Sequence, residues 1–204
     1  MGADNVHAIK GERMYDTGST TFMLICTMLV FLMTPGLAFF YGGLSRRKNV
    51  INTMLMCFGV IGLVGVLWIV AGWSLAYGGD GSSPFIGGLD QLLCLPVLNQ
   101  VLQAAEGTAS DGAVYPQIIN IAFQMAFAMI TAAIVTGSLA GRVKFGAMAA
   151  FLGIWLLVVY APLAHMVWGG EGSFIGDIIG ALDFAGGDEV HISCGLTGQS
   201  HCLM

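Results

Sequence analysis

Charge is what this chain has least of. Only 9% of its 204 residues are Asp, Glu, Lys or Arg, against about 25% in an ordinary soluble domain, and that scarcity excludes a water-soluble globule. Lys and Arg together number 7 against 12 Asp and Glu, and no nucleic-acid partner is expected. Cysteine is present but unpatterned: Cys26, Cys57, Cys94, Cys194 and Cys202 show no paired spacing, which argues against a disulfide framework. No cleavable leader is expected, because residues 1–20 are polar where a signal peptide has its apolar core. The first apolar segment is therefore expected to insert as its own signal. Myristoylation is discounted, since Val6 stands where Ser or Thr is required.

What fills the chain instead is apolar. Hydrophobic residues make up 56% of it, and the mean hydropathy is +0.82. Four apolar runs cover residues 20–41, 50–75, 118–140 and 145–168, each long enough to cross a ~30 Å hydrocarbon core as a helix. A fifth starts near Val190, with only 15 residues left before the chain stops at Met204, too few for a full span. The expected fold is all-α: a polytopic transmembrane helix bundle of four complete spans plus the start of a fifth. Residues 1–19 are expected to be an extracytoplasmic tail, 20–198 the membrane domain and 199–204 a separate tail.

The few charges orient the bundle. Arg46, Arg47 and Lys48 sit between the first two spans, and Arg142 and Lys144 between the third and fourth. No acidic residue falls in either link; Asp80, Asp90, Glu106, Asp111, Glu171, Asp177, Asp183, Asp188 and Glu189 all lie in the opposite loops. Short loops rich in Lys and Arg stay cytoplasmic. The N-terminus and the two acidic loops are thus expected outside a plasma (inner) membrane, and the net charge of −5 belongs to those outer loops.

Inside the spans, Gly59, Gly62 and Gly65 recur every three residues, as close helix packing in lipid requires. Pro35-Gly36 removes a backbone donor and permits a kink. Asn120, Gln124 and Thr131 place polar groups at membrane depth, where they must face protein or water. Phe123 and Phe127 stand four apart and share a helix face; they read either as ordinary core or as a gate in a narrow pore.

The richest stretch is Ala164-His165-Met166-Val167-Trp168-Gly169-Gly170, followed by Ala181-Leu182-Asp183-Phe184-Ala185-Gly186-Gly187 and then His191. It brings an aromatic face, a carboxylate and an imidazole to one mouth of the bundle, a combination suited to a small cation that sheds water. Each residue also has a plainer reading. Trp168 could be an interfacial anchor or offer a cation–π contact of ~0.5–2 kcal/mol. Asp183 could cap the helix that follows or concentrate cations near Trp168. His165 lies where it would hydrogen-bond a neighbouring carbonyl. His191 begins the fifth segment, where an imidazole can accept and pass a proton at physiological pH.

Together these residues resemble the ammonium transporter (Amt/Mep/Rh) family. The resemblance runs through Met33-Thr34-Pro35-Gly36-Leu37-Ala38-Phe39-Phe40-Tyr41-Gly42-Gly43-Leu44, Ala122-Phe123-Gln124, the Ala164 to Gly170 run, and Leu182 to Gly187 leading into Val190-His191-Ile192-Ser193, and covers roughly residues 19–198. It implies that Phe127 and Trp168 belong to an outer ammonium recruitment site and that Phe123 and Phe127 stand at the pore mouth. By the same likeness Asp183 stabilises the vestibule and supports cation recruitment. His191 resembles the first of two pore histidines that move a proton separately from ammonia. The implied partners are ammonium or ammonia, the lipid bilayer and a homotrimer or full-length relatives. No cofactor, no metal and no enzymatic activity is expected.

Chemistry fits such a mechanism, because burying a bare ion is very costly and potassium, unlike ammonium, cannot become neutral by giving up a proton. The departure lies at the end of the chain. Family members carry about eleven spans as an inverted repeat, a common transporter design, and Gln199 to Met204 is polar where a fifth span should become apolar. A truncated front half, unable to transport alone, is the expectation; the second pore histidine, an inner phenylalanine and a recruitment-site serine would lie in the other half. Two further readings stand beside it. One is a metal-binding or sensory membrane module on His191, Cys194, His201 and Cys202, whose spacing is no established zinc pattern. The other is a non-transporting interaction subunit of full-length transporters. Gly186-Gly187-Asp188-Glu189 opens like a diguanylate cyclase motif, but no soluble catalytic domain surrounds it.

Overall fold

The structure, a computed structural model, describes residues 15–79, 81, 83–104 and 115–203. All regular structure among them is helical. With no water to bond exposed backbone groups in lipid, a helix is the way for such apolar runs to satisfy their own N–H and C=O groups. α1 (Thr17–Leu44) starts where the Asp16 side chain accepts a hydrogen bond from the Ser19 N–H, and it runs on through Pro35. α2 (Arg47–Tyr77) widens by one π-type turn at Trp68–Gly72. A short α3 (Leu95–Ala104) lies in the following loop. α4 (Gln117–Leu139) and α5 (Phe145–Trp168) complete the four spans, α5 with a second wide turn at Leu156–Tyr160. Two more wide turns follow, Phe174–Ile178 and Gly187–Ile192, the second of which leads into α6 (Ser193–Leu203). The polar residues 199–203 continue that helix rather than ending it.

α4 is the hub, packing against α1, α2 and α6. Its buried Ala126, Ala128, Ala132 and Ala133 let those neighbours approach, which matters where lipid supplies no hydrophobic drive between helices. The expected glycine ladder of α2 works on two sides. A Cβ at Gly59 would lie 2.5 Å from the Phe145 ring and one at Gly65 3.1 Å from Met129, whereas Gly62 faces nothing within 4 Å. Outward, Phe22, Met28, Leu32, Phe39 and Phe40 of α1 are exposed, an apolar exterior of the kind a bilayer demands.

The two ends of the bundle differ in chemistry. Arg46 and Arg142 line one cavity together with Tyr41, Asn49 and Gly141, so both basic links lie at the same end. At the other end the loops are tied to each other: the Phe174 N–H donates to the Pro84 carbonyl at 3.0 Å, and the Phe85 and Phe174 rings sit 5.1 Å apart.

Candidate functional site: an aromatic row at one end of the bundle

Phe123 and Phe127 occupy successive turns of α4, and their rings meet edge to face at 5.1 Å and 76°. Phe127 then meets Trp168, at the end of α5, at 6.0 Å and 73°. These three half-buried rings form one continuous row. Thr131 is buried and returns its hydroxyl to the Phe127 carbonyl at 2.7 Å, while Asn120 and Gln124 are half-buried on the same helix.

Trp168 leads to Asp183. Its indole N–H donates to the Asp183 backbone carbonyl at 3.2 Å. The Asp183 carboxylate is itself engaged: Oδ1 accepts from the N–H groups of Gly186 and Gly187 at 2.7 and 2.8 Å, and Oδ2 from those of Asp188 and Glu189 at 2.9 and 3.1 Å. Such donors at the start of a helix have no intrahelical partners, so Asp183 caps the turn that opens α6. Gly186 takes φ of 81° to bring the chain back, and a Cβ there would meet Val190 at 2.8 Å. Partial burial works to raise the Asp183 pKa, but the four backbone donors outweigh it and hold the carboxyl below its ordinary value. A negative charge is thereby held on the residue whose backbone carbonyl receives the indole N–H.

His191 follows on the same turn, its N–H bonded to the Gly186 carbonyl at 3.1 Å. Its side chain is exposed and shares no ring contact with the aromatic row among the described residues. Contacts therefore join Phe123, Phe127, Trp168 and Asp183, and His191 is connected to them through the capped turn. His165 does the plainer work expected of it, twice over. It is buried, with Nδ1 2.9 Å from the Ala76 carbonyl and Nε2 2.9 Å from that of Ser83.

The metal-binding reading finds no built centre among the described residues, where no group of three or more His, Cys, Asp or Glu side chains is poised around an ion. His201 bonds the Thr197 carbonyl at 2.7 Å and stands edge-on to Phe151, while Cys194 Sγ points back to the His191 carbonyl. The Cys202 side chain lies outside the described residues. One residue that sequence reasoning placed in an outer loop is buried completely: Glu189, which faces Tyr77 and Tyr160. A carboxylate beside Asp188 gave no sign of burial; the docking of the capped turn onto α4 and α5 creates it.

A bundle of four apolar helices long enough to span a bilayer, with an aromatic row at one end, is a polytopic membrane protein. The chain belongs to the ammonium transporter family. That family's sequence profile, described as "Ammonium Transporter Family", matches residues 21–202. The ammonium transporter of Aquifex aeolicus (strain VF5) is 44% identical over 198 residues, covering 97% of this chain and 44% of that protein. The ammonium transporter of Bacillus subtilis (strain 168) is 43% identical over 185 residues, covering 89% and 42%. The crystal structure of Candida albicans Mep2 superposes with a TM-score of 0.80 at 32% identity, covering 93% of this chain and 39% of that one. The chain thus spans less than half the length of these relatives. They are transporters rather than enzymes, and the cyclase-like Gly186-Gly187-Asp188-Glu189 is part of the capped turn.

Proposed function

We propose that this chain serves ammonium transport across the plasma (inner) membrane, with the N-terminus and the Trp168 end outside. The observation that carries the reading is the continuous row of Phe123, Phe127 and Trp168. An ammonium ion arriving there exchanges water for ring faces, a contact of about 0.5–2 kcal/mol that strengthens as the site dries. The fixed charge of Asp183 favours cations at this mouth. Moving the bare ion further into apolar surroundings is far costlier than moving neutral ammonia. Ammonium therefore gives up its proton near the rings, ammonia passes inward, and His191 carries the proton onward by a separate route.

The exposed His191, Ile192 and Leu196 side chains favour a second feature of the same reading. They leave the inner side of the turn and of α6 uncovered, so a closed pore needs more protein there. A homotrimer, or association with full-length relatives, fits that need. Replacement of His191 by Gln, with the protein in its native assembly in proteoliposomes, tests the relay. Charge movement should fall away from ammonia flow; an unchanged proton-linked current would refute the relay role.

A further inference from the structure

Glu189 has no exposed surface, and neither of its carboxyl oxygens has a hydrogen-bond partner. Three further polar atoms are buried with no hydrogen-bond partner: the hydroxyls of Tyr77 and Tyr160 and the indole nitrogen of Trp68. These groups form one cluster. The Trp68 ring lies 6.5 Å from that of Tyr77 and 6.0 Å from that of Tyr160, and the Glu189 side chain faces both phenols, with the Tyr160 hydroxyl beside the carboxyl.

An ionised carboxylate in such surroundings is prohibitively costly unless it is paired, and the usual outcome is neutralisation. The titratable groups that face Glu189 are Tyr77 from α2, Tyr160 from α5 and Asp183 from its own turn, and α4 contributes the hydroxyl of Thr131 to the same cluster. None of these is a cation. Asp183, whose Oδ2 accepts the Glu189 N–H at 3.1 Å, already carries a negative charge, so a second one beside it is disfavoured further. A proton neutralises the group without needing a cavity.

We propose that Glu189 is a proton-holding site beside the outer vestibule, carrying its proton in neutral solution and releasing it when a monovalent cation settles on the Phe127 and Trp168 rings. In that step the carboxyl O–H bond breaks, and the proton leaves past the Tyr160 hydroxyl to water at the mouth. The carboxylate that remains is balanced by the cation, and no electrons change hands. The coupling is reciprocal: the cation binds more tightly as pH rises. This second half rests on the reading of the aromatic row as a cation site; the proton-holding half does not.

Infrared difference spectroscopy of the full chain in lipid bilayers tests both halves. With ¹³C-labelled glutamate, a protonated-carboxyl band should persist at neutral pH, be absent in Glu189→Gln, shift in Glu189→Asp, and diminish on addition of ammonium chloride. The labelled wild-type chain alone is sufficient to decide whether such a glutamate band exists. No such band overturns the proposal, as does a band that stays constant while calorimetry records ammonium binding. Failure to bind ammonium at all would strike the vestibule reading, and the band itself would still support the proton-holding site.

Discussion

The indole N–H of Trp168 donates to the backbone carbonyl of Asp183 at 3.2 Å, so the ring that ends the aromatic row is tied to the residue whose carboxylate caps the next helix. Orientation of the ring and formation of the capped turn are thereby one structural event. This end of the bundle is built from distant parts of the sequence, α4 and the end of α5 with the segment that follows it.

Loss of the Asp183 carboxylate should therefore be felt beyond the mouth. Asp183→Ala leaves four backbone donors without their acceptor, and capping losses of this kind cost about 0.5–2 kcal/mol. A lower thermal midpoint in detergent, together with a change in Trp168 fluorescence, is the expected result; an unaltered midpoint would count against the cap.

The same residue sets a pH dependence. Its folded-state pKa lies below the ordinary carboxylate value of 3.8, so the stabilisation is present above that value and is lost as pH falls through the lower folded pKa. Acid titration of stability should show this loss in the wild-type chain and show it diminished in Asp183→Asn.

Close packing of α2 on α5 gives a paired test. Gly59→Val drives a side chain into the Phe145 ring, which a Cβ would already approach to 2.5 Å, and overpacking of this sort costs about 1–3 kcal/mol. Gly62→Ala, at a position with nothing within 4 Å, should be tolerated. Equal thermal midpoints for the two variants would contradict the packing described.

His165 holds the loop after α2 through the carbonyls of Ala76 and Ser83. His165→Phe removes the N–H that the ring donates and leaves a carbonyl of this loop without its donor, at about 1–3 kcal/mol if that carbonyl stays buried. Limited proteolysis should then cut within residues 78–90 faster than in the wild-type chain, while the α4 span remains protected.

The spans were legible because hydropathy alone decides them: residues 118–140 and 145–168, read from apolar content, are the helices Gln117–Leu139 and Phe145–Trp168. The wide turns at Trp68–Gly72 and Leu156–Tyr160 were not, since an extra residue in a helical turn leaves the apolar pattern intact. Phe123, Phe127 and Trp168 could be nominated from type and position, but their contact depends on how α4 and α5 cross. Asp183 illustrates an intermediate case: capping and cation attraction were both readable, and the four donors show that its carboxylate performs the first, while the second belongs to the proposed function. Glu189 was illegible, because its burial is made by Tyr77 and Tyr160, which lie on other helices.

The most direct measurement is calorimetric titration of ammonium chloride into the full chain in lipid bilayers, comparing wild type with Trp168→Leu and with potassium chloride as the reference ion. Removal of a cation–π contact of about 0.5–2 kcal/mol predicts a roughly 2- to 30-fold weaker ammonium affinity in the variant. Ammonium binding of equal strength in both proteins would contradict the assignment of the aromatic row.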